Sequence, residues 1–523
     1  MKKNLSIFVI IILLFSTSCK KNIREIISTT EKASFIIYTY DEFGTPSGSG
    51  SGFFISDAIG LTNYHVLDGA TKAIIITTDG SKFEIENIIS SDKEMDIIKF
   101  QLKSSPTNTQ SLTLTNETPQ KGDVIYCLSN PLRLENTFTN GIISNFQNDN
   151  KSIQFTAPIS PGSSGGAVLN ENGEVIALAT SSITRAQNLN FGTYLNNEIL
   201  NSITNDDFTN RNPKFSKRDN FIILNLKSDN DPFTTLNAIE FGDNSTTLYM
   251  SFTNLHLTDD NSVWGLYQDF KDKKEDNDYF TDLKTNIKYH ITSSTLGTQE
   301  NLTTVPLGTT LRYKQHFPKI NSKIDAISIG DIKDSRSPHW SNIDLKELGS
   351  LEKFDLENFQ THYAFSALGE GKISNAKNLF LDIINNDPEN NEALSTLGVL
   401  EYLMDNNNDA LMYFTLAINS SPNTSVSYVN RHYVHLYQNN IQEALTDISK
   451  AINISPDQSE YYKKREKIYL RLGNKEKARE DFFKADDISS KIYDRKPLRS
   501  WDSNEERVYD YILDLRVKQD KSR

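Results

Sequence analysis

The feature that most restricts what this chain can fold into is a period of 34 residues towards its C-terminal end. Ala376, Ala410, Ala444 and Ala478 recur at that interval, as do Phe380, Phe414, Ile448 and Phe482, and Pro388, Pro422 and Pro456. Thirty-four residues hold two helices and two turns, and repetition buries an apolar face that one unit could not cover alone. The small alanine lets paired helices approach, the larger apolar residue fills the next layer, and proline stops the second helix. The pattern predicts four helix–turn–helix units over residues 351–490, followed by a cap or tail at 491–523.

This A-x3-F…P spacing resembles the tetratricopeptide repeat (TPR). Gly398 fits that family's small upstream position, whereas His432 and Glu466 depart from it. The resemblance implies an all-α TPR superhelix whose groove binds a peptide or protein partner.

The rest of the chain has a different texture. Its 523 residues are enough for three or four domains. Residues 34–204 read as β. Ala73–Thr78 and Lys82–Ile88 flank Asp79-Gly80, and Ala167–Leu169 and Glu174–Ala179 flank Asn172-Gly173; both are hairpin patterns. Residues 205–219, rich in Asn, Asp and Lys, read as a linker. Residues 220–345 give further short strands, such as Asn220–Leu226, Thr246–Leu255, Ile287–Thr292 and Thr309–Tyr313, spaced as in a β-sandwich-like domain. The net charge of −13, from 55 basic and 68 acidic residues without a long basic run, argues against nucleic acid as a partner. Two cysteines exclude a disulfide framework. Neither CxxC nor HExxH spacing occurs, so no metal and no cofactor are expected.

At the N-terminus, Lys2 and Lys3 precede the apolar run Leu5–Phe15. Eleven residues cannot cross ~30 Å of hydrocarbon as a helix, but they suit a secretory signal. Ser16, Thr17 and Ser18 then lead to Cys19, which resembles a bacterial lipobox; Ser16 departs from its usual aliphatic residue. The resemblance implies a signal peptide at 1–18, a lipid-modified Cys19, a tether at 19–33 and a place in the bacterial cell envelope, on the periplasmic or cell-surface side, anchored to the membrane without spanning it. An ordinary signal peptide with an incidental cysteine is the alternative. Cys127, within the apolar run Val124–Leu128, reads as a core thiol.

Of the eight histidines, only His65 precedes residue 256. It stands in Leu61-Thr62-Asn63-Tyr64-His65-Val66. Upstream lies Gly48-Ser49-Gly50-Ser51-Gly52-Phe53-Phe54-Ile55, and downstream lie Asp96-Ile97-Ile98-Lys99 and Pro161-Gly162-Ser163-Ser164-Gly165-Gly166. A serine hydroxyl needs an adjacent base to attack at neutral pH. Histidine has the pKa for that task, and a carboxylate fixes its tautomer. Glycines beside the serine let backbone N–H groups point at a developing oxyanion.

Taken together, G-S-G-F-x-I, L-T-N-x-H-V, x-D-I-x-x-x-K and P-G-x-S-G-G resemble the HtrA/DegP-type trypsin-like serine endopeptidases, as do Ser129-Asn130-Pro131 and Thr139–Ser144. The resemblance covers about residues 34–203. It implies a chymotrypsin-like double β-barrel over 34–204 and cleavage of protein or peptide substrates. His65 would be base and then acid, Asp96 its orienting partner and Ser164 the nucleophile; the N–H groups of Gly162 and Ser164 would form the oxyanion hole. Asp92 is an alternative carboxylate and Ser163 an alternative nucleophile. Gly162–Gly166 also reads as the G-x-S-x-G elbow of α/β-hydrolases, but the β pattern after it opposes the helix that motif requires. Pro158, six residues before Ser164, stands where a basic-residue preference needs Asp. Ile159 implies a small or medium apolar residue before the cleaved bond. Ala179, Thr180 and Ser181 are expected on the strand that pairs with extended substrate. Nothing after residue 204 reads as the PDZ domain usual in that family. A function of another class also fits: a catalytically silent trypsin-like domain serving as a TPR interaction scaffold.

Overall fold

The computed structural model describes residues 22–129, 137–147, 151–159, 162–182, 190–203, 207–212, 215, 220–255, 257, 263–266, 279–296, 303–320, 322–330, 338–348 and 354–492. It divides into two compact units, residues 1–39 with 48–216 and residues 40–47 with 217–523.

The first unit begins with α1 (Ile23–Ala33), capped by the Asn22 side chain on the Arg24 N–H. Two closed six-stranded barrels follow, consistent with a chymotrypsin-like fold. One contains β1 (Ser34–Tyr40), β2 (Pro46–Ser56), β3 (Ile59–Thr62), the short α2 (Tyr64–Leu67), β4 (Lys72–Thr77), β5 (Lys82–Asp92) and β6 (Ile97–Leu102). The other contains β7 (Val124–Ser129), β8 (Thr137–Gln147), β9 (Ser152–Phe155), β10 (Ala167–Leu169), β11 (Val175–Ser182) and β12 (Asn190–Tyr194). Both expected hairpins form: β4 pairs with β5 and β10 with β11, with Gly80 and Gly173 at the positive φ angles such turns need. Phe35, Phe54 and Phe100 anchor the first core; Ile125, Ile143 and Phe155 anchor the second.

Two stretches differ from their sequence reading. Much of the expected tether is helix α1, whose Ile26 and Ala33 pack into a core with Leu114, Leu169 and Val175. Spacing of Ile26, Thr30 and Ala33 on one helical face is what buries them. The expected linker likewise contributes structure. After α3 (Asn197–Ser202), α4 (Asp207–Arg211) carries the fully buried Phe208, and Phe215 joins it in the first barrel's core. Two apolar rings in a polar stretch outweigh its composition, because burying each is worth roughly 1.5–3 kcal/mol.

The second unit begins with β strands: β13 (Phe221–Lys227), β14 (Thr234–Phe241), β15 (Ser245–Thr253), β16 (Val263–Leu266), β17 (Tyr279–Asp282), β18 (Ile287–His290), β19 (Ser293–Ser294), β20 (Thr303–Pro306), β21 (Thr310–Pro318), β22 (Ala326–Ile329) and β23 (Trp340–Asp344). They form a five-stranded sheet, β13-β14-β15-β21-β19, a four-stranded sheet, β18-β17-β22-β23, and the pair β16-β20. One core draws Leu236, Ile239 and Leu248 from the first sheet and Phe280, Ile327 and Trp340 from the second.

After the short α5 (Leu345–Leu348), helices of 13–18 residues follow: α6 (Leu356–Gly369), α7 (Ile373–Asn386), α8 (Asn391–Leu403), α9 (Asn407–Ser420), α10 (Ser425–Tyr437), α11 (Ile441–Ile454), α12 (Ser459–Arg471) and α13 (Lys475–Ile492). Their arrangement is compatible with helical repeats. Ala376, Ala410, Ala444, Ala478, Phe380, Phe414 and Ile448 are all fully buried. Pro388, Pro422 and Pro456 each follow the end of a helix by two residues. The turn inside each pair holds a residue at positive φ, namely Gly371, Asp405, Asn439 and Gly473, and these too recur every 34 positions. Among the described residues, no helix is long and apolar enough to cross a membrane. The expected signal peptide, the expected lipid site Cys19 and the segment 493–523 lie outside the described residues.

Candidate active site

The candidate residues lie in the first unit, His65 and Asp96 on connections of the first barrel and Ser164 on the loop before β10 of the second. β3 leads through Asn63 into α2, which places His65 in the first turn of a four-residue helix. Its side chain is half exposed, at 50%. Asp96 sits between β5 and β6 at a φ of +56°, a left-handed conformation uncommon outside glycine and tolerated best by Asn and Asp.

Both Asp96 carboxylate oxygens are engaged by the same residue. Nδ1 of His65 lies 2.8 Å from Oδ2, and the His65 backbone N–H donates to Oδ1 at 2.9 Å. The Asn63 side-chain amide donates to the Asp96 carbonyl at 2.9 Å. His65 therefore engages the carboxylate at two points, ring and backbone, while Asn63 holds the Asp96 main chain. With a proton on Nδ1, Nε2 is the basic atom of the ring. The rival carboxylate, Asp92, instead accepts the Met95 N–H at 2.9 Å and closes the turn.

The serine loop packs against β2, and here the glycine-rich run acquires its reason. The Ser51 N–H donates to the Ser164 carbonyl at 2.7 Å, Ser51 Oγ donates to the Gly162 carbonyl at 2.7 Å, and Thr62 Oγ1 donates to the Ser51 carbonyl at 2.8 Å. A Cβ on Gly50 would lie 2.7 Å from both Val66 methyls, and one on Gly165 only 2.1 Å from the Ser51 carbonyl oxygen. Gly165 also has a φ of +88°. Gly48–Gly52 is thus part of a strand, with no side chain where the loop must come close.

Ser163 is buried and Ser164 half-buried, so of the two serines Ser164 is the more accessible. Its hydroxyl donates to the Thr180 carbonyl at 3.0 Å. Thr180 falls at the irregularity of β11 where pairing with β12 shifts between Ala179 and Ser181; a bulge re-aims the backbone in this way. Gly162 belongs to the same loop, at a φ of +93°. Ile159 packs on the second barrel's core. Ser181 pairs with Phe191 of β12.

Ala179 departs from its expected place on a substrate-pairing edge. Its N–H donates to the Gly166 carbonyl at 2.9 Å and its carbonyl accepts the Gly165 N–H at 2.8 Å. Both polar groups serve the serine loop, and its methyl lies in the barrel core. Cys127 is in that same core, and burial pushes its thiol well above the usual range, which makes it inert. Among the described residues, no group of three or more His, Cys, Asp or Glu could hold a metal ion.

Sequence reasoning missed four contributors. Asn63 and Thr62 lie inside the motif around His65, and Ser51 inside the glycine run, where adjacency was the available signal. Phe208 meets the Tyr64 ring edge-on, at 5.5 Å between centroids, and so supports the helix that carries His65. Its signal was an apolar ring in a polar stretch.

Residues 50–178 match the family described as trypsin-like peptidase domain. The periplasmic pH-dependent serine endoprotease DegQ of Escherichia coli (strain K12) is 36% identical over 143 residues, which is 26% of this chain and 31% of that protein. Serine protease HTRA1 of Xenopus laevis is 32% identical over 161 residues, 29% of this chain and 35% of that protein. The chain thus spans about a third of the length of these curated relatives. Among solved structures, the HtrA-type protease AlgW with tripeptide matches at 29% identity and a TM-score of 0.32, covering 35% of this chain and 64% of that one.

Proposed function

We propose that this chain is a serine endopeptidase of the bacterial cell envelope that hydrolyses peptide bonds of protein substrates, with the chemistry in residues 34–204. The observation that carries this reading is the double engagement of the Asp96 carboxylate by the His65 ring and backbone, in a region similar to HtrA/DegP-type proteases.

In the proposed mechanism, Ser164 Oγ turns from the Thr180 carbonyl to the His65 Nε2 side and attacks the substrate carbonyl. Nε2 takes the hydroxyl proton, and Asp96 stabilises the imidazolium. The carbonyl oxygen gains negative charge and is received by the N–H groups of Gly162 and Ser164. Collapse of the tetrahedral species breaks the C–N bond, and His65 gives its proton to the leaving amine. Water, deprotonated by His65, then hydrolyses the acyl-enzyme. Ile159 lines the pocket for a small or medium apolar residue before the cleaved bond, and the Thr180–Ser181 edge pairs with extended substrate. Ser164→Ala is expected to abolish casein cleavage and labelling by a fluorophosphonate; retained activity would overturn the assignment.

Residues 351–490 are proposed to be four TPR units that bind a protein partner or present clients, and Cys19 a lipid attachment site. Mass spectrometry of the mature N-terminus for a diacylglyceryl cysteine tests the latter. A second reading, a silent scaffold, draws support from the Ser164 hydroxyl, which is held by Thr180 at rest. Fluorophosphonate labelling of the folded wild-type chain separates the two: labelling supports the enzyme, and its absence the scaffold.

A further inference from the structure

The five-stranded sheet of the second unit has two unlike faces. Leu226, Leu236, Met250 and Leu311 belong to the core it shares with the four-stranded sheet. Their neighbours in the chain, Lys227, Thr235, Ser251 and Arg312, stand opposite one another across β13, β14, β15 and β21, so a polar row crosses the other face. An antiparallel sheet with one polar face usually leaves that face to water. Here it is covered: Thr235 and Ser251 are buried, and so is Asn237, two residues on from Thr235. Part of the cover is α6, whose Ser366 hydroxyl accepts from Arg312 Nη2 at 2.8 Å. The chain at 41–45 belongs to the same unit. Its Thr45 lines one small cavity together with the polar row, Asn237 and His362 of α6.

Charge is already balanced around that cavity. Arg312 pairs with Asp41, and Lys227 with Glu392 at 2.8 Å. Burial lowers the pKa of His362 to about 3, which leaves its ring neutral at neutral pH. Hydrogen bonding is not balanced. Thr45 Oγ1 and Asn237 Oδ1 are buried and have no hydrogen-bond partner among the described residues, and the two residues are 5% and 1% exposed. A relay of amides fixes which atom Asn237 leaves over. Its Nδ2 donates to Asn225 Oδ1 at 3.0 Å, and Asn225 Nδ2 donates to the Gly44 carbonyl at 3.1 Å. Turning either amide would set oxygen against oxygen. Asn237 therefore offers an acceptor, which only a donor satisfies. A carboxylate, sulfate or phosphate has no proton to give it, and a metal cation would stand beside two cations. What fits is an uncharged group that both donates and accepts. The cavity gives the centre of a water-sized molecule about 10 Å³, the room of one water.

We propose that this cavity is the binding site of one internal water molecule, which donates to Asn237 Oδ1 and bonds Thr45 Oγ1, and so ties the chain at 41–45 to the sheet beneath α6. A buried water makes two to four hydrogen bonds, and the hydroxyls of Thr235 and Ser251, which line the same space, are there to take the rest. With the water in place the polar face is a satisfied seat for α6; without it two buried polar atoms go unmet, which costs stability. The proposal depends neither on the protease site nor on the array's binding a partner.

The test uses the full chain and oxygen-17 magnetic relaxation dispersion, which counts water molecules held far longer than those at the surface. Thr45→Ile exchanges the hydroxyl for carbon and adds a methyl group, close to the size of one water. With its fold verified by circular dichroism, it is expected to hold one long-lived water fewer than wild type. Thr45→Val removes the hydroxyl without filling the space. Its water is expected to stay, with a residence time shortened by about tenfold, the effect of losing one neutral hydrogen bond. Equal counts in wild type and folded Thr45→Ile, or an unchanged residence time in Thr45→Val, overturn the proposal. Should Thr45→Ile not fold, a high-resolution crystal structure of the wild-type chain decides. One water within about 3.2 Å of both Asn237 Oδ1 and Thr45 Oγ1 supports the site. An ion or a larger molecule there, or no ordered density, overturns it. Casein cleavage reports separately on the protease, so failure here leaves that reading standing.

Discussion

Gly165→Ala tests whether the contact between serine loop and β2 sets the position of the nucleophile. The added methyl would lie 2.1 Å from the Ser51 carbonyl oxygen and 2.4 Å from Thr62 Oγ1. The first is backbone and cannot swing aside, so loop and strand must separate. Ser51 makes two bonds that tie β2 to the loop, to the Ser164 and Gly162 carbonyls. Each neutral hydrogen bond is worth about 0.5–1.5 kcal/mol net. Holding alanine at a φ of +88° adds about 1–2 kcal/mol, so the unit should lose about 2–5 kcal/mol. A nucleophile displaced by about 1 Å costs on the order of 100-fold in rate. The measurements are the initial rate of casein cleavage and the thermal midpoint. The matched control is Gly122→Ala: its φ is +94° but nothing lies within 4 Å of the new methyl. It bears only the conformational cost and should keep wild-type activity. If Gly165→Ala cleaves casein as fast as Gly122→Ala does, the close approach does not position Ser164, and the reason given for the glycine run fails.

Asp96→Asn should lower kcat by about 10⁴ with the fold retained, because the imidazole loses its tautomer, while Asp92→Ala, assayed on the same casein substrate, should keep most activity. Phe208→Ala should cost about 3–5 kcal/mol in urea unfolding and reduce cleavage through the helix carrying His65; loss of neither would leave the stretch a linker. His362 is buried in the second unit, and burial lowers its pKa to about 3. Between pH 6.5 and about 3 the unfolded chain binds the proton and the folded one does not, so stability falls with pH by about 1.4 kcal/mol per unit; urea unfolding of His362→Gln at pH 7 and 5 should show a flatter dependence than wild type. Gly398→Ala would ordinarily stabilise a helix by about 1 kcal/mol, but its Cβ would meet the buried Phe414 ring at 2.6 Å, so a lower thermal midpoint is expected.

What could be read from the sequence follows from how local each signal is. The 34-residue period repeats one local geometry, so its buried alanines and aromatics declare themselves, and so in retrospect do the positive-φ turns at Gly371, Asp405, Asn439 and Gly473; their mixed identities hid a shared backbone need. The hairpins at Asp79-Gly80 and Asn172-Gly173 were equally local. His65, Asp96 and Ser164 could be singled out as candidates because each lies inside a motif, although 99 residues separate the first from the last. Asn430 lies inside no motif, since its partner is backbone 173–175 residues away and backbone carries no sequence signature. The same holds for Ser51 against the serine loop, whereas Phe208 is buried against the ring of Tyr64, distant in sequence. The resting hydrogen bond from Ser164 to the Thr180 carbonyl is another backbone contact of this kind. A motif names the groups that can react, but the acceptor that holds the Ser164 hydroxyl is set by where β11 bulges. An intact triad in the sequence is therefore compatible with either a free or a held serine, and the labelling rate of the wild-type chain is the quantity that distinguishes them.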